Sequence, residues 1–212
     1  MQSPFGSKPY CSLYIVRHGQ TDWNLEKRLQ GQTDIPLNSI GKDQASEAAQ
    51  LLKDIKFDAT YSSDLLRAKQ TAEIIALDHQ LVVKTTELIR ERHFGRWEGE
   101  LVSEIRDLLD IKKALSDEER KHYKHHPEIE SDEEIFIRFN TFIREIAATH
   151  LNQNILVASH SGSIRIFLIH LGLYTHHQLR ADGAIKNSGY IHLLSDGIDF
   201  HIASTHGISL NT

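Results

Sequence analysis

The chain has 212 residues, a formal net charge of -5 and one cysteine. An acidic balance offers no general basic face for nucleic acid, so any anion site has to be local, built from a few cations. Cys11 alone permits no internal disulfide and no thiolate metal cluster, which fits a reducing compartment. The opening MQSPFGSKPY lacks a basic stretch followed by a long apolar one. The longest apolar runs, such as IFLIHLGL at 166–173, are far too short to span a bilayer. These features lead us to expect a soluble cytoplasmic protein with no membrane or nucleic-acid partner, a single domain over 1–212 with 1–11 as a flexible tail.

In chain order, a β-branched apolar run predicts a strand near 12–16 that leads into RHGQTDWN. A helix over 41–53 starts near Asn38 or Ser39. A strand near 58–62 runs into SSDLLRAKQT, whose helical spacing covers 64–77 with Asp64 as its cap. After a strand near 81–86 comes ELIRERHFGRWEG, and helical spacing returns over 101–115. The stretch 110–135 is highly charged and poor in apolar residues, which makes 100–135 a solvated, lid-like excursion on the rim. Its HYKHH at 122–126 matches no metalloprotease helix spacing and reads as lid, not metal site. A long helix over 131–150 opens on Asp132, Glu133 and Glu134, an exposed acidic start that suits the helix dipole. A strand near 154–158 then ends in SHSGSIR, followed by a helix over 162–172 and strands near 189–194 and 198–204.

Buried-looking strands alternating with amphipathic helices predict an α/β fold, a three-layer sandwich with a mostly parallel central sheet flanked by helices. Ligands of such sheets bind outside the carboxyl ends of the strands, which puts 17–24, 62–67, 87–95 and 159–165 on one rim. Three of these strand ends deliver Arg or His beside glycine or small hydroxyl residues. Arginine offers a planar fork of donors, and glycine and serine let backbone N–H groups approach, so the pattern suits a tetrahedral oxyanion. The Gly-rich loops of nucleotide enzymes, GxxxxGK and GxGxxG, are absent from the sequence.

RHGQTDWN, SDLLRAKQTAEII, RERHFGRWEG and SHSGSIR, in that order, resemble the histidine phosphatase superfamily, in the branch of cofactor-dependent phosphoglycerate mutases and related phosphatases. The resemblance runs from about residue 13 to about 194 and implies a phosphoglycerate mutase-like fold. It implies that His18 is a nucleophile forming a phosphohistidine, that Arg17, Arg67 and His160 hold the phosphoryl oxygens, and that Asn24 adds a donor. Glu91 matches the family's proton donor to the leaving oxygen, with Glu87 and Glu98 as acidic neighbours in sequence. Thr21, Gln30 and Gly31 fall in the loop lining the same pocket. Phosphoryl transfer asks for positioning and charge compensation, which two arginines and a second histidine supply without a metal. The nucleophile has to be neutral on its attacking nitrogen, with a hydrogen bond fixing the other. The acid has to hold its proton near neutral pH, through burial or the charge of the phosphate. Ser161 departs from the pattern, since many relatives have glycine there, and it bears on substrate preference.

Three functions stay open on these residues. The first is a metal-independent phosphatase that hydrolyses small phosphomonoesters, needs no cofactor and works as a monomer or homodimer. The second is a phosphoglycerate mutase, an isomerase primed by 2,3-bisphosphoglycerate. The third is an inactive phosphate-binding or scaffold domain. Every core residue is present, which argues against the third. The short stretch between Glu91 and His160, with PEIESDEE resembling the phosphatases' segment, favours the first, although Arg106, Arg120 and Lys124 could line a lid as in the second.

Overall fold

The computed structural model describes residues 4–105, 111, 114–179 and 183–211. Along the chain come β1 (Cys11–Arg17), the single turn α1 (Asp22–Leu25), α2 (Ser39–Leu52), β2 (Ala59–Ser63), α3 (Leu66–Leu77) and β3 (Val83–Thr86). After a 3-10 turn (Gly95–Trp97) follow α4 (Asp117–His122), α5 (Asp132–Thr149), β4 (Asn154–Ser159), α6 (Ser161–His170), β5 (Ile185–Ser195) and β6 (Phe200–Ile208). The strands form one six-stranded sheet in the order β3-β2-β4-β1-β5-β6. The β3-β2-β4-β1 part is parallel, and β5 and β6 pair antiparallel at one side.

Alternation along the strands decides the layering. In β1, Leu13 and Ile15 enter one core while Tyr14 and Val16 enter the other, because successive side chains leave a strand on opposite faces. A strand apolar on both faces has to be covered on both. On one face α2 and α3 bring Ala48, Ala49, Leu52 and Ile75 against Tyr14 and Val16. On the other, α5 and α6 bring Phe139, Ile143, Ile164 and Phe167 against Leu13 and Ile15. Phe139 and Phe167 are fully buried and lie 4.9 Å apart between ring centroids, each contributing about 2 to 3 kcal/mol through burial.

Two expectations about helix starts are corrected. Asp64 does not cap α3: Leu65 holds the cap position without a side-chain bond, and the N–H of Leu66 donates to Asp34 Oδ1 at 2.6 Å. Asp64 instead takes both arms of Arg90, with Nε to Oδ1 at 2.7 Å, a bidentate ion pair stronger than one cap bond. At α5, Ser131 caps and Glu134 completes a capping box, but Asp132 is fully buried and paired with Arg92 rather than exposed. Arg92 also donates to the carbonyl of Glu130, just before the Ser131 cap.

The helix expected over 101–115 lies partly outside the described residues; at its start Leu101 bridges Arg28 and 102–105 form turns. The rest of the excursion is tied to the start of α5, His122 meeting Glu133 at 2.8 Å and Lys124 meeting Glu134 at 2.6 Å. His125 and His126 pack edge-on to Trp97. Near the amino terminus, Phe5 stacks on Tyr10 and meets His201 of β6 edge-on. Among the described residues no helix is long and apolar enough to cross a membrane.

Removing one partner of a buried ion pair leaves the other charge uncompensated. Asp132→Ala should therefore lower stability by about 3 kcal/mol, read as the shift in urea unfolding midpoint. Glu133→Ala, at the exposed neighbouring position, should change it by no more than about 0.5 kcal/mol.

Candidate active site

The sheet order assembles the site. β1 and β4 are parallel neighbours in a register that sets Arg17 opposite Ser159, and the N–H of His18 donates to the Ser159 carbonyl at 2.9 Å. One residue further along each strand, His18 and His160 come side by side, ring centroids 5.2 Å apart and planes at 57°. β2 flanks β4 on its other side and ends at Ser63, so that the first turn of α3 brings in Arg67. Parallel strands end on one rim, and the loops after β1, β2 and β4 meet there.

His18 is held from several directions. Its Nδ1 lies 2.6 Å from the carbonyl of Gly19; a carbonyl only accepts, so Nδ1 carries the proton and Nε2 presents its lone pair. The His18 carbonyl accepts from Asn187 Nδ2 at 3.1 Å and from the N–H of Ser188. The N–H of Gly19 donates to Thr71 Oγ1, whose hydroxyl donates to the Arg67 carbonyl. Glycine is required at 19 because a Cβ there would stand 2.3 Å from the Gly41 carbonyl oxygen. Burial, and then the charges of Arg67 and Arg17, push the imidazole pKa well below its ordinary value. His18 is therefore uncharged at neutral pH.

Around it stand cations whose donors are only partly used. Arg67 is fully buried, giving Nη1 to the Thr33 carbonyl at 2.8 Å and Nη2 to the Gly31 carbonyl at 2.6 Å, while Nε has no partner. Arg17 gives Nη1 to the Ile185 carbonyl, and its Nε is likewise without a partner. Burial pulls both guanidinium pKa values down to about 10, opposed by the charge of Glu91, so both stay cationic at neutral pH. His160 is fully buried, and neither ring nitrogen has a hydrogen-bond partner. Burial and the adjacent Arg67 push its pKa well down. Buried polar groups without partners are rare and call for a reason; here the His160 ring lies 5.2 Å from that of His18, and the charges of Arg67 and Arg17 act on the His18 imidazole.

Glu91 faces the start of α6, accepting from the Gly162 N–H at 2.9 Å, from its neighbour Arg92 N–H at 2.8 Å and from Ser163 Oγ at 3.3 Å. A Cβ at Gly162 would lie 2.5 Å from the carboxylate. Glu87 is mostly exposed beside Arg90, and Glu98 spends its carboxylate on the N–H groups of Gln32 and Phe94 and on the Thr33 hydroxyl. Thr21 caps α1 and pairs with Asn24, whose carbonyl oxygen accepts from Thr21, leaving the NH2 as its donor. Gln30 is buried with Oε1 unpaired, and Gly31, at φ +53°, offers the carbonyl that Arg67 takes. Ser161 opens α6, one residue before the helix start expected at Gly162.

Three supporting residues were not singled out in the sequence. Arg138 donates to the carbonyls of Leu88, Arg90 and Glu91 and to Glu130, holding the Glu91 loop. Thr71 was visible within SDLLRAKQT but not its bond to Gly19. Asn187 had no local signal. Among the described residues no group of three or more His, Cys, Asp or Glu side chains is placed to hold a metal ion.

The lowered histidine pKa values make stability depend on pH. Above about 6.5, the ordinary value, the imidazoles are neutral folded and unfolded, and their contribution is complete. As pH falls below it the unfolded chain takes up protons that the folded one refuses, so stability drops by up to about 1.4 kcal/mol per pH unit per histidine. Urea midpoints between pH 8 and pH 5 should fall less steeply for His160→Gln than for the parent chain.

Three comparisons bear on this arrangement. The chain is 37% identical over 159 residues to phosphoglycerate mutase-like protein 4 of Arabidopsis thaliana, covering 74% of this chain and 69% of that one. It is 33% identical over 159 residues to the uncharacterized phosphatase PhoE of Bacillus subtilis, covering 74% and 75%. The phosphoserine phosphatase of Entamoeba histolytica, solved in complex with 3-phosphoglyceric acid, superposes with a TM-score of 0.78 at 28% identity, over 92% of this chain and 96% of that one. With residues 13–204 matching the family model as well, spanning every strand that carries the site, this chain belongs to the histidine phosphatase superfamily, branch 1.

Proposed function

We propose that the protein is a phosphatase that hydrolyses small phosphomonoesters through a phosphohistidine on His18. The observation that carries this reading is the set of buried donors without acceptors, Arg17 Nε, Arg67 Nε and the His160 ring, around a neutral imidazole whose proton sits on Nδ1. An oxyanion is what such a set stabilises, and a neutral Nε2 is what attacks phosphorus.

In this mechanism the substrate's non-bridging oxygens accept from Arg17, Arg67, His160 and the Asn24 amide. His18 Nε2 forms a bond to phosphorus as the bond to the leaving oxygen breaks, and Glu91 gives that oxygen its proton. Water then attacks the phosphohistidine with Glu91 as base, releasing inorganic phosphate and restoring the imidazole. The two guanidiniums supply the charge compensation that a metal provides in other phosphoryl-transfer sites. Thr21, Gln30 and Gly31 shape the wall through Arg67 and α1. Ser161, next to His160 at the start of α6, would touch the leaving group.

The mutase reading draws on the Arabidopsis relative's name. Against it, Lys124 pairs with Glu134 and Arg120 with Asp117, so these two lid cations are engaged within the excursion; Arg106 lies outside the described residues. Phosphorus NMR on 3-phosphoglycerate with a trace of 2,3-bisphosphoglycerate, in EDTA, should show inorganic phosphate growing without 2-phosphoglycerate. The reverse order would make the enzyme a mutase.

His18→Ala should abolish turnover and the acid-labile phosphoryl adduct seen by mass spectrometry after rapid quench, whereas His160→Ala should lower kcat by about a hundredfold. Gly162→Ala should displace the Glu91 carboxylate while leaving the unfolding free energy within about 1 kcal/mol of the parent's. Its kcat/KM should fall by about tenfold or more on an alkyl phosphate but little on 4-nitrophenyl phosphate, whose leaving group needs no proton.

A further inference from the structure

A groove of about 460 Å3 runs between α2 and the start of β5; Arg17 of the candidate active site lines it, whereas His18, Arg67, Glu91 and His160 do not. Its apolar wall is Ala48 and Leu51, and half of Leu51 is exposed. Its floor carries His206, whose ring stacks on Tyr190 at 5.5 Å with planes at 20°. Lys186, Arg17 and Ser188 line it as well, and Glu47 is its acidic residue. The Ser188 hydroxyl is buried without a partner, as is Arg17 Nε.

The β5 side of the groove is a built feature. β5 shifts register between Ile185 and Tyr190, and Ser188 adopts φ +56°, a conformation that L side chains rarely take. Gly189 and Gly207 let the two strands close behind it: a Cβ on Gly207 would stand 3.1 Å from the Gly189 Cα. The same bulge holds the catalytic loop, since Asn187 and the Ser188 N–H donate to the His18 carbonyl and Arg17 donates to the Ile185 carbonyl. One side of the bulge therefore touches the His18 peptide while the other lines the groove.

We propose that this groove is a second ligand site, taking a small planar organic anion, whose occupancy is felt at His18 through the 185–189 bulge. The flat apolar body lies on His206 against Leu51, and the anionic group reaches Lys186 and the unpartnered Ser188 hydroxyl. A carboxylate or phosphate on an aromatic or heteroaromatic ring has this chemistry.

The test is a titration of the isotope-labelled full chain with benzoate, followed in amide correlation spectra while orthovanadate saturates the phosphoryl site. Saturable shifts are expected at Ser188, Gly189, His206 and Gly207 and, through the bulge, at His18. Affinity should fall by about fivefold in Lys186→Ala, and both Leu51→Glu and replacement of benzoate by uncharged benzamide should remove the response. The proposal is overturned if no saturable shift appears, if vanadate abolishes it, if Lys186→Ala and Leu51→Glu bind as the parent does, or if the His18 amide stays still while the groove fills. None of these readouts requires turnover, so they stand or fall separately from the phosphatase reading.

Discussion

The parallel pairing of β1 with β4 is the constraint on which the site depends. Its register sets Arg17 against Ser159, and His18 and His160 are the residues that follow the two strands. A slip of one residue would turn Leu13 and Ile15 toward the helices that cover Tyr14 and Val16 and would part the two imidazoles. The register is thus enforced by two cores at once, and the geometry at the rim inherits that rigidity.

Placing cations and imidazoles so close has an electrostatic cost that the fold distributes. Arg67 is enclosed by the carbonyls of Gly31 and Thr33, and Arg17 by that of Ile185, which solvate guanidinium without neutralising it. The histidines respond by staying uncharged, and the Gly19 carbonyl selects the tautomer of His18. The result is a positively charged, preorganised pocket around a neutral imidazole, which is the state the proposed phosphoryl transfer requires.

Outside that pocket, support comes mostly from α5. Arg138 gathers three carbonyls of the Glu91 loop, Asp132 holds Arg92, and Glu133 and Glu134 tether the charged excursion. A single helix therefore links the Glu91 loop to the charged excursion. On the other side the β5 bulge grips the His18 peptide. α5 thus braces the Glu91 loop, and the β5 bulge braces the His18 loop.

Much of this was legible along the chain because each strand end carries its chemistry in a contiguous run: RHG after β1, LLRAKQT after β2, SHSGS after β4. Strand periodicity and helix spacing located the elements for the same reason, since they depend on neighbours a few residues apart. Which of Glu87, Glu91 and Glu98 meets the start of α6 was not decided by composition, and the structure separates them by their partners. Asp64 and Asp132 looked like helix-start acids, yet each is drawn off by an arginine remote in sequence, Arg90 in one case and Arg92 in the other. Arg138, Thr71 and Asn187 carried no local signal for their roles. The sequence by itself determined the kinds of group present and the order in which strands deliver them. Only the tertiary structure decided which groups touch, because the strand order 3-2-4-1-5-6 brings together residues remote in sequence, such as His18 and Asn187, 169 positions apart, through cores that no local pattern encodes.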